Sequence, residues 1–160
     1  MDIEQGSLVA IFTAPESGAP MQARDEVEAV AGRGLAGDRY GAATGKYSGS
    51  RLPDAQRAVT LIEAETLEAV RDECGVELGA HETRRNLLTR GVALNDLVGV
   101  TFRVGDVELR GVDLATPCSY LESLTRSGVL RALTDRGGLR AEILVSGTLR
   151  IDDPITVPHR

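Results

Sequence analysis

Short apolar segments alternate with glycine-rich turns along most of the chain. Segments that are rich in Val, Ile and Leu and bounded by Gly, Pro or Asp are typical of β-strands. The strands predicted in this way cover residues 6–12, 22–30, 58–62, 84–89, 101–104, 107–112, 139–145, 148–151 and 155–157. Because closing a sheet removes its exposed edges, many short strands with few helices predict a closed β-barrel or a folded sheet.

One stretch, residues 63–74, has the spacing of an amphipathic helix instead. Its apolar positions recur on one face, at Ala64, Leu67, Val70 and Cys74. Gly75 is placed to end this helix, and the apolar face predicts that Cys74 is a core residue. Shorter helices are predicted at residues 118–126 and 128–134. The predicted fold class is therefore mainly β with a few short helices, with residues 1–160 as one domain.

The charge balance argues against several classes of partner. The 160 residues carry a formal net charge of −6, which disfavours nucleic acid or an anionic membrane as the main partner. The sequence has no apolar run long enough to span a bilayer, and its acidic N-terminus lacks the features of a secretion signal. Cys74 and Cys118 do not resemble a disulfide framework or a zinc site. We therefore expect a cytoplasmic protein.

The scarcity of lysine and histidine narrows the chemistry further. Lys46 is the one lysine, and it lies in a polar, glycine-rich segment rather than in an apolar one that would favour Schiff-base chemistry. Pyridoxal phosphate is therefore not expected as a cofactor. His81 and His159 are too few for a histidine-rich metal site, and they offer little choice for a Ser–His–Asp triad.

The first candidate for chemistry is the cysteine in Thr116-Pro117-Cys118. Proline favours the first helical position, so Thr116 is predicted to cap a helix and Cys118 to lie in its first turn. A thiol at such a place faces unpaired backbone N–H groups, which favour the nucleophilic, metal-binding thiolate. The alternative is that Cys118 is a small buried hydrophobic residue.

The second candidate is the cluster Arg84-Arg85-Asn86, followed by Thr89. In a strand, Arg84 and Asn86 point to one face while Arg85 and Thr89 point to the other. An arginine and an amide on one face form a fork that suits phosphate or carboxylate. The alternative is a pair of arginines on a solvated surface.

The third candidate is Gly37-Asp38-Arg39, at the start of a long loop predicted over residues 37–56. Glycine allows close approach of a ligand to the backbone, Arg39 supplies positive charge, and Asp38 is placed to hold that arginine. The alternative is an ordinary turn. A thiolate beside arginines suits a cofactor with a soft metal at one end and a phosphate at the other. It equally suits a sulfur carrier in which Cys118 holds a persulfide.

The chain resembles the MOSC-domain family, which is named after the C-terminal part of molybdenum-cofactor sulfurases. The resemblance is carried by residues 37–39, 57–61, 84–92, 94–99, 102–105, 117–118 and 137–144. It implies a β-barrel related to the pyruvate-kinase barrel domain. It also implies that Cys118 matches the family's functional cysteine, which ligates molybdenum in amidoxime-reducing relatives. Arginine, asparagine and hydroxyl side chains hold the pterin and its phosphate in those relatives.

The same match suggests which residues contact the cofactor. Arg84 and Asn86 are the best carried-over contacts, followed by Arg85 and Thr89, and then by Gly37, Asp38 and Arg39. The sequence departs from the family at Tyr40, where many members have histidine. We expect a short, stand-alone form, without the extra N-terminal barrel of the longer reductases or the desulfurase domain of the sulfurases.

The resemblance implies a protein that binds molybdopterin and reduces N-hydroxylated compounds, with Cys118 as the molybdenum ligand. We expect electrons to come from a separate donor, since the sequence has no flavin, iron–sulfur or nicotinamide motif. The alternative is a non-redox sulfur carrier in which Cys118 accepts sulfur from a desulfurase.

Overall fold

The computed structural model describes residues 2–39, 56 and 58–158. The strands are β1 (Asp2–Thr13), β2 (Gln22–Arg24), β3 (Glu26–Val30), β4 (Gly34–Leu35), β5 (Val59–Glu63), β6 (Leu87–Arg90), β7 (Thr101–Val104), β8 (Val107–Leu114), β9 (Leu139–Val145), β10 (Gly147–Arg150) and β11 (Pro154–Pro158). The α-helices are α1 (Ala64–Cys74), α2 (Ser119–Leu124) and α3 (Val129–Ala132), and short 3₁₀ helices form at Ala80–Thr83 and Leu94–Leu97. No helix in these described ranges has the length and apolar character needed to cross a bilayer.

Seven strands close into a barrel in the order β11-β7-β8-β9-β5-β6-β1. The barrel closes where β1 pairs with β11, with Ile3 opposite Val157. All pairings in this barrel are antiparallel except that between β5 and β6. Strand β2 extends the sheet beside β1, and β10, β3 and β4 form a small separate sheet. The prediction of a mainly β protein built on a closed barrel is confirmed.

Two apolar clusters hold these elements together. The larger cluster fills the barrel, and its fully buried side chains include Leu8, Ile11, Leu61, Leu87, Phe102 and Leu109. A second cluster covers the outside of β5 and packs the three α-helices against it, through Ile62, Val70, Leu78, Leu121, Val129, Ala132 and Leu133. Only 3% of the residues are aromatic, so aliphatic side chains supply most of the buried apolar surface in both clusters. The second cluster fixes the position of α2, which begins directly after Cys118.

The predicted strand at residues 22–30 is two strands that belong to different sheets. Pairing changes at Asp25, so that β2 joins β1 whereas β3 pairs with β10. A continuous alternating pattern does not reveal this change, because both halves have extended backbone. The prediction of a single strand was wrong.

Cys74 is exposed, so the prediction that it is a core residue was also wrong. It is the last residue of α1, and Gly75 ends the helix with a left-handed φ of 67°. The buried face of α1 consists of Ala64, Thr66 and Val70, and it does not continue into this final turn. The Cys74 sulfur lies 3.6 Å from a guanidinium nitrogen of Arg136 instead.

Glu63, at the end of β5, offers a test of how burial affects stability. Its Oε2 accepts a hydrogen bond from the Leu94 N–H at 3.3 Å. Burial raises the pKa of the Glu63 carboxyl above 4.5; the Leu94 bond opposes the shift, and nearby Glu65 and Asp96 add to it. Because the folded pKa is raised, the charged form opposes folding at neutral pH, and stability is regained as the pH falls through the folded pKa.

We therefore expect Glu63→Gln to increase the free energy of unfolding at pH 7, since glutamine keeps an acceptor for Leu94 and carries no charge. The increase should shrink as the pH is lowered towards 4.5, where the wild-type carboxyl becomes protonated. Urea unfolding at the two pH values measures both effects. Glu68→Gln, at an exposed carboxylate paired with Arg90, is the matched control. A gain that does not depend on pH would contradict this explanation.

Candidate functional site

One region of the barrel gathers the segments that carry the predicted site residues. Leu61 of β5 pairs with Leu87 at the start of β6 and with Leu139 at the start of β9. The end of β1 lies beside the start of β6, and the end of β8 lies beside the start of β9. The segments next to these strand termini include residues 14–21, 84–86, 115–118 and 137–138. Residues 38–39 reach the same region through bonds to Ala14.

Asp38 and Arg39 form a buried ion pair beside Ala14, directly after β1. Asp38 is fully buried and Arg39 is only 5% exposed. The Asp38 carboxylate accepts one hydrogen bond from Arg39 Nη1 at 3.1 Å and another from the Ala14 N–H at 3.0 Å. The Arg39 N–H donates to the Ala14 carbonyl at 2.6 Å. Asp38 therefore holds Arg39 in place, as the sequence predicts.

Arg84 connects this pair to the loop that follows β1. Its carbonyl accepts a hydrogen bond from Arg39 Nη2 at 3.1 Å, and its own Nη1 donates to the Ala19 carbonyl. Arg84 has a left-handed φ of 65° directly after the 3₁₀ helix at Ala80–Thr83. This turn lets the backbone of Arg84 face Arg39 while its side chain reaches the loop.

Arg85 reaches the other side of the site. Its Nε donates to the Gly137 carbonyl and its Nη2 to the Ala115 carbonyl, both at 2.8 Å. Ala115 lies three residues before Cys118. The Arg84-Arg85 dipeptide is thus bonded to Arg39 on one side and to the segment that leads to Cys118 on the other.

Cys118 is the residue that precedes α2, not a member of its first turn. It is half-buried, has extended backbone angles (φ −139°, ψ 168°), and its sulfur makes no capping bond to the helix. Thr116 does not cap α2, because the N-cap position of that helix is Cys118. The Cys118 side chain packs at the edge of the second apolar cluster. The predicted N-cap position was wrong by two residues.

Tyr120 ties this segment to the loop after β1. Its hydroxyl lies 3.5 Å from the Ser17 hydroxyl, within hydrogen-bond range. The same loop accepts the bond from Arg84 through Ala19. Residues 14–20 therefore contact both the arginine segment and the start of α2.

Asn86 and Thr89 lie inside the barrel wall. The Asn86 Oδ1 accepts hydrogen bonds from the Thr60 N–H and hydroxyl at 3.1 and 3.3 Å, and its Nδ2 donates to the Phe12 carbonyl at 3.1 Å. Thr89 is fully buried, with its hydroxyl 3.5 Å from the Ile62 carbonyl. These contacts join β1, β5 and β6. The strand alternation that paired Arg84 with Asn86 does not apply, because β6 begins only at Leu87.

The remaining predictions lie at the margin of this site or outside the described residues. Gly37 is exposed and has a left-handed φ of 80°. Most of the long loop predicted at 37–56, including Tyr40 and Lys46, falls outside the described residues. Within the part of the chain that is described, His, Cys, Asp and Glu side chains form no group of three suited to a metal.

Two parts of the site were not among the candidate site residues predicted from the sequence. The loop at residues 14–20 contributes a main-chain carbonyl, from Ala19, and the hydroxyl of Ser17. Gly137 also contributes through its carbonyl. Main-chain acceptors are independent of residue type, so only the Pro15 and Pro20 turn residues and the Gly137-Gly138 pair could have drawn attention to these segments.

Solved structures with a similar fold include the following three proteins. The YuaD protein from Bacillus subtilis has a TM-score of 0.82 at 16% identity, covering 98% of this chain and 97% of that one. YiiM from Geobacillus stearothermophilus has a TM-score of 0.71 at 14% identity, covering 97% and 76%. YiiM from Escherichia coli has a TM-score of 0.65 at 18% identity, covering 96% and 70%.

The family is shown by the sequence rather than by these distant structures. No curated protein matches the chain significantly. The family model of the MOSC domain, however, matches residues 33–156, a span that includes Asp38, Arg39, Arg84, Arg85 and Cys118. The chain therefore belongs to the MOSC-domain family.

Proposed function

We propose that this protein binds a molybdopterin-type cofactor at the region of the barrel where the arginine segment contacts the segment that leads to Cys118, and that it reduces N-hydroxylated compounds. The MOSC domain is associated with the C-terminal domains of molybdenum-cofactor sulfurases and with that cofactor. The observation that carries the proposal is the linkage of Arg39, Arg84 and Arg85 to one another and to the segment that leads to Cys118.

The chemistry of these side chains fits such a cofactor. A thiolate is a soft ligand for a transition metal, and guanidinium groups bind phosphate through paired N–H donors. Three arginines lie together in this bonded network, which brings positive charge to one region of an otherwise acidic protein. Positive charge of this kind attracts an anionic phosphate.

Each residue has a distinct part in the proposed site. Cys118 holds the metal through its sulfur, while Arg39 and Arg84 attract and orient the phosphate. Asp38 keeps the Arg39 guanidinium in one orientation. When bound, the cofactor supplies two-electron oxo-transfer chemistry at molybdenum. Electrons come from a separate donor protein.

Asn86 and Thr89, two of the predicted cofactor contacts, bond mainly within the protein. The side-chain polar atoms of Asn86 bond within the barrel, and the Thr89 hydroxyl faces a strand carbonyl. We assign both residues to bracing the strands that carry the arginines. Their role as direct cofactor contacts, and that of Gly37, stays a prediction, as does a cytoplasmic location.

The test is to purify the full chain from a host that makes the cofactor. Molybdenum is measured by mass spectrometry of the metal, and the pterin by its fluorescence after oxidation. We expect similar molar amounts of both, together with reduction of an amidoxime by a reduced viologen dye. Protein that carries neither molybdenum nor pterin, from a host whose own molybdenum enzymes are loaded, would refute the proposal.

A sulfur carrier is the second candidate, favoured by the half-buried position of Cys118 beside aliphatic side chains. Such a position shields a persulfide from solvent. In this reaction the outer sulfur of a desulfurase persulfide moves to the Cys118 thiolate, and the desulfurase cysteine leaves as a thiolate. Intact-mass measurement after incubation with a desulfurase and cysteine tests it. One added sulfur on Cys118, with no bound pterin, would favour the carrier.

A further inference from the structure

We propose that Arg85 is a positioning residue that sets the place and exposure of Cys118, rather than a ligand of the cofactor. The inference rests on the proposed function only in taking Cys118 as the reacting group of the site. The arrangement itself is carried by the main-chain contacts of Arg85 and by the close packing around Gly137.

The guanidinium of Arg85 joins the segment that leads to Cys118 to the Gly137-Gly138 segment. Nε and Nη2 each donate at 2.8 Å, one to the Gly137 carbonyl and the other to the Ala115 carbonyl. Both are charge-assisted bonds, which are stronger than those between neutral groups. Because both acceptors are neutral, these bonds fix the guanidinium without cancelling its charge.

The two segments that Arg85 joins are closely packed against each other. A Cβ on Gly137 would collide with the Ala115 carbonyl oxygen and lie 2.9 Å from Cδ of Pro117. The Ala115 N–H donates to the Gly138 carbonyl at 2.8 Å, which joins the two segments a second time. A displacement at Ala115 is therefore passed through Pro117, whose ring restricts the backbone, directly to Cys118.

Arg84 and Arg85 contact different parts of the protein. Two nitrogens of Arg85 are committed to the protein's own main chain, so its fork is turned towards Ala115 and Gly137. Arg84 instead reaches the loop at Ala19 and lies beside Arg39. Arg85 thus acts on the cysteine segment, whereas Arg84 acts on the loop that follows β1.

The test compares Arg85→Lys and Arg85→Gln in a Cys74→Ser background, which removes the exposed thiol. The rate of alkylation of Cys118 by iodoacetamide is measured against pH on the cofactor-free full chain. The plateau at high pH reports the exposure of the thiolate, whereas the midpoint reports its ionisation. Arg140→Gln is the matched control, since Arg140 is also half-buried but pairs with Asp113 across β8 and β9.

Both variants are expected to raise the high-pH alkylation rate by about threefold or more, because one ammonium cannot replace a fork that bridges two carbonyls. Arg85→Lys keeps the charge, so a rise in its plateau reports the loss of the two-pronged hydrogen bonding alone. Arg140→Gln should keep the parent profile.

An unchanged plateau in folded Arg85→Lys and Arg85→Gln would overturn the proposal. So would an effect confined to the midpoint and rescued by lysine, since Arg85 would then act only as a charge. Failure of both variants to fold would assign Arg85 to the whole barrel instead. Because no cofactor is present, these outcomes are independent of whether the wild type proves to bind molybdenum.

Discussion

Cys118→Ser is expected to lower the molybdenum content of the purified protein at least about tenfold, because a neutral hydroxyl is a much poorer ligand than a thiolate for a metal that prefers soft donors. Within the described residues no other cluster of metal-ligating side chains is available to take over. The change removes one soft ligand and leaves the arginine network, through Arg39 and Arg84, intact. Metal analysis of wild type and variant from the same host measures the effect.

Cys74→Ser serves as the control for this experiment. Cys74 is exposed at the end of α1, where its sulfur lies beside Arg136, and its loss should leave the molybdenum content unchanged. Circular dichroism establishes that both variants are folded. Equal molybdenum in wild type and folded Cys118→Ser would show that this sulfur does not ligate the metal.

The barrel strands were predictable where one face of the strand packs on the core. Thr101–Val104 and Leu139–Val145 match their predicted bounds to the residue, because each alternates between buried and more exposed side chains. The sequence predicted that the sheet closes into a barrel, but not which strands pair to close it. The pairing of Ile3 with Val157 joins opposite ends of the chain, and such a contact leaves no local pattern.

The segments of the candidate site were predictable, but the directions of their side chains were not. Strand alternation placed Arg84 beside Asn86, whereas the left-handed φ of Arg84 starts a different backbone path before β6. Arg85 finds its acceptors 30 and 52 residues away along the chain. These partners are main-chain carbonyls brought close by the barrel, so their distance in sequence and their lack of side-chain identity hide them from sequence analysis.

The error at Cys118 has a similar origin. Proline is common at the first position of a helix, but it is equally at home in extended segments. Here Pro117 lies between Ala115, which Arg85 holds, and Cys118, which precedes α2. The extended conformation is imposed by these tertiary contacts. Local propensity did not distinguish the two placements.

Asn86→Leu is expected to lower the free energy of unfolding of the cofactor-free protein by about 3–5 kcal/mol. Leucine has a similar size, so the main loss is polar rather than a cavity. The substitution removes the oxygen that accepts hydrogen bonds from the Thr60 N–H and hydroxyl. It also removes the amide group that donates to the Phe12 carbonyl. Asn86 is only 1% exposed, so water cannot readily replace these bonds.

Urea unfolding without cofactor measures this cost and separates the two roles considered for Asn86. Asn95→Leu is the control, because Asn95 is exposed and its amide makes one bond, to the Asp135 carbonyl at 2.9 Å. Its effect should stay within about 0.5 kcal/mol. If Asn86→Leu proved as stable as wild type yet lost molybdenum, Asn86 would be a direct cofactor contact. A large loss of stability in the cofactor-free state, in contrast, follows from a residue that joins β1, β5 and β6 beneath the arginines.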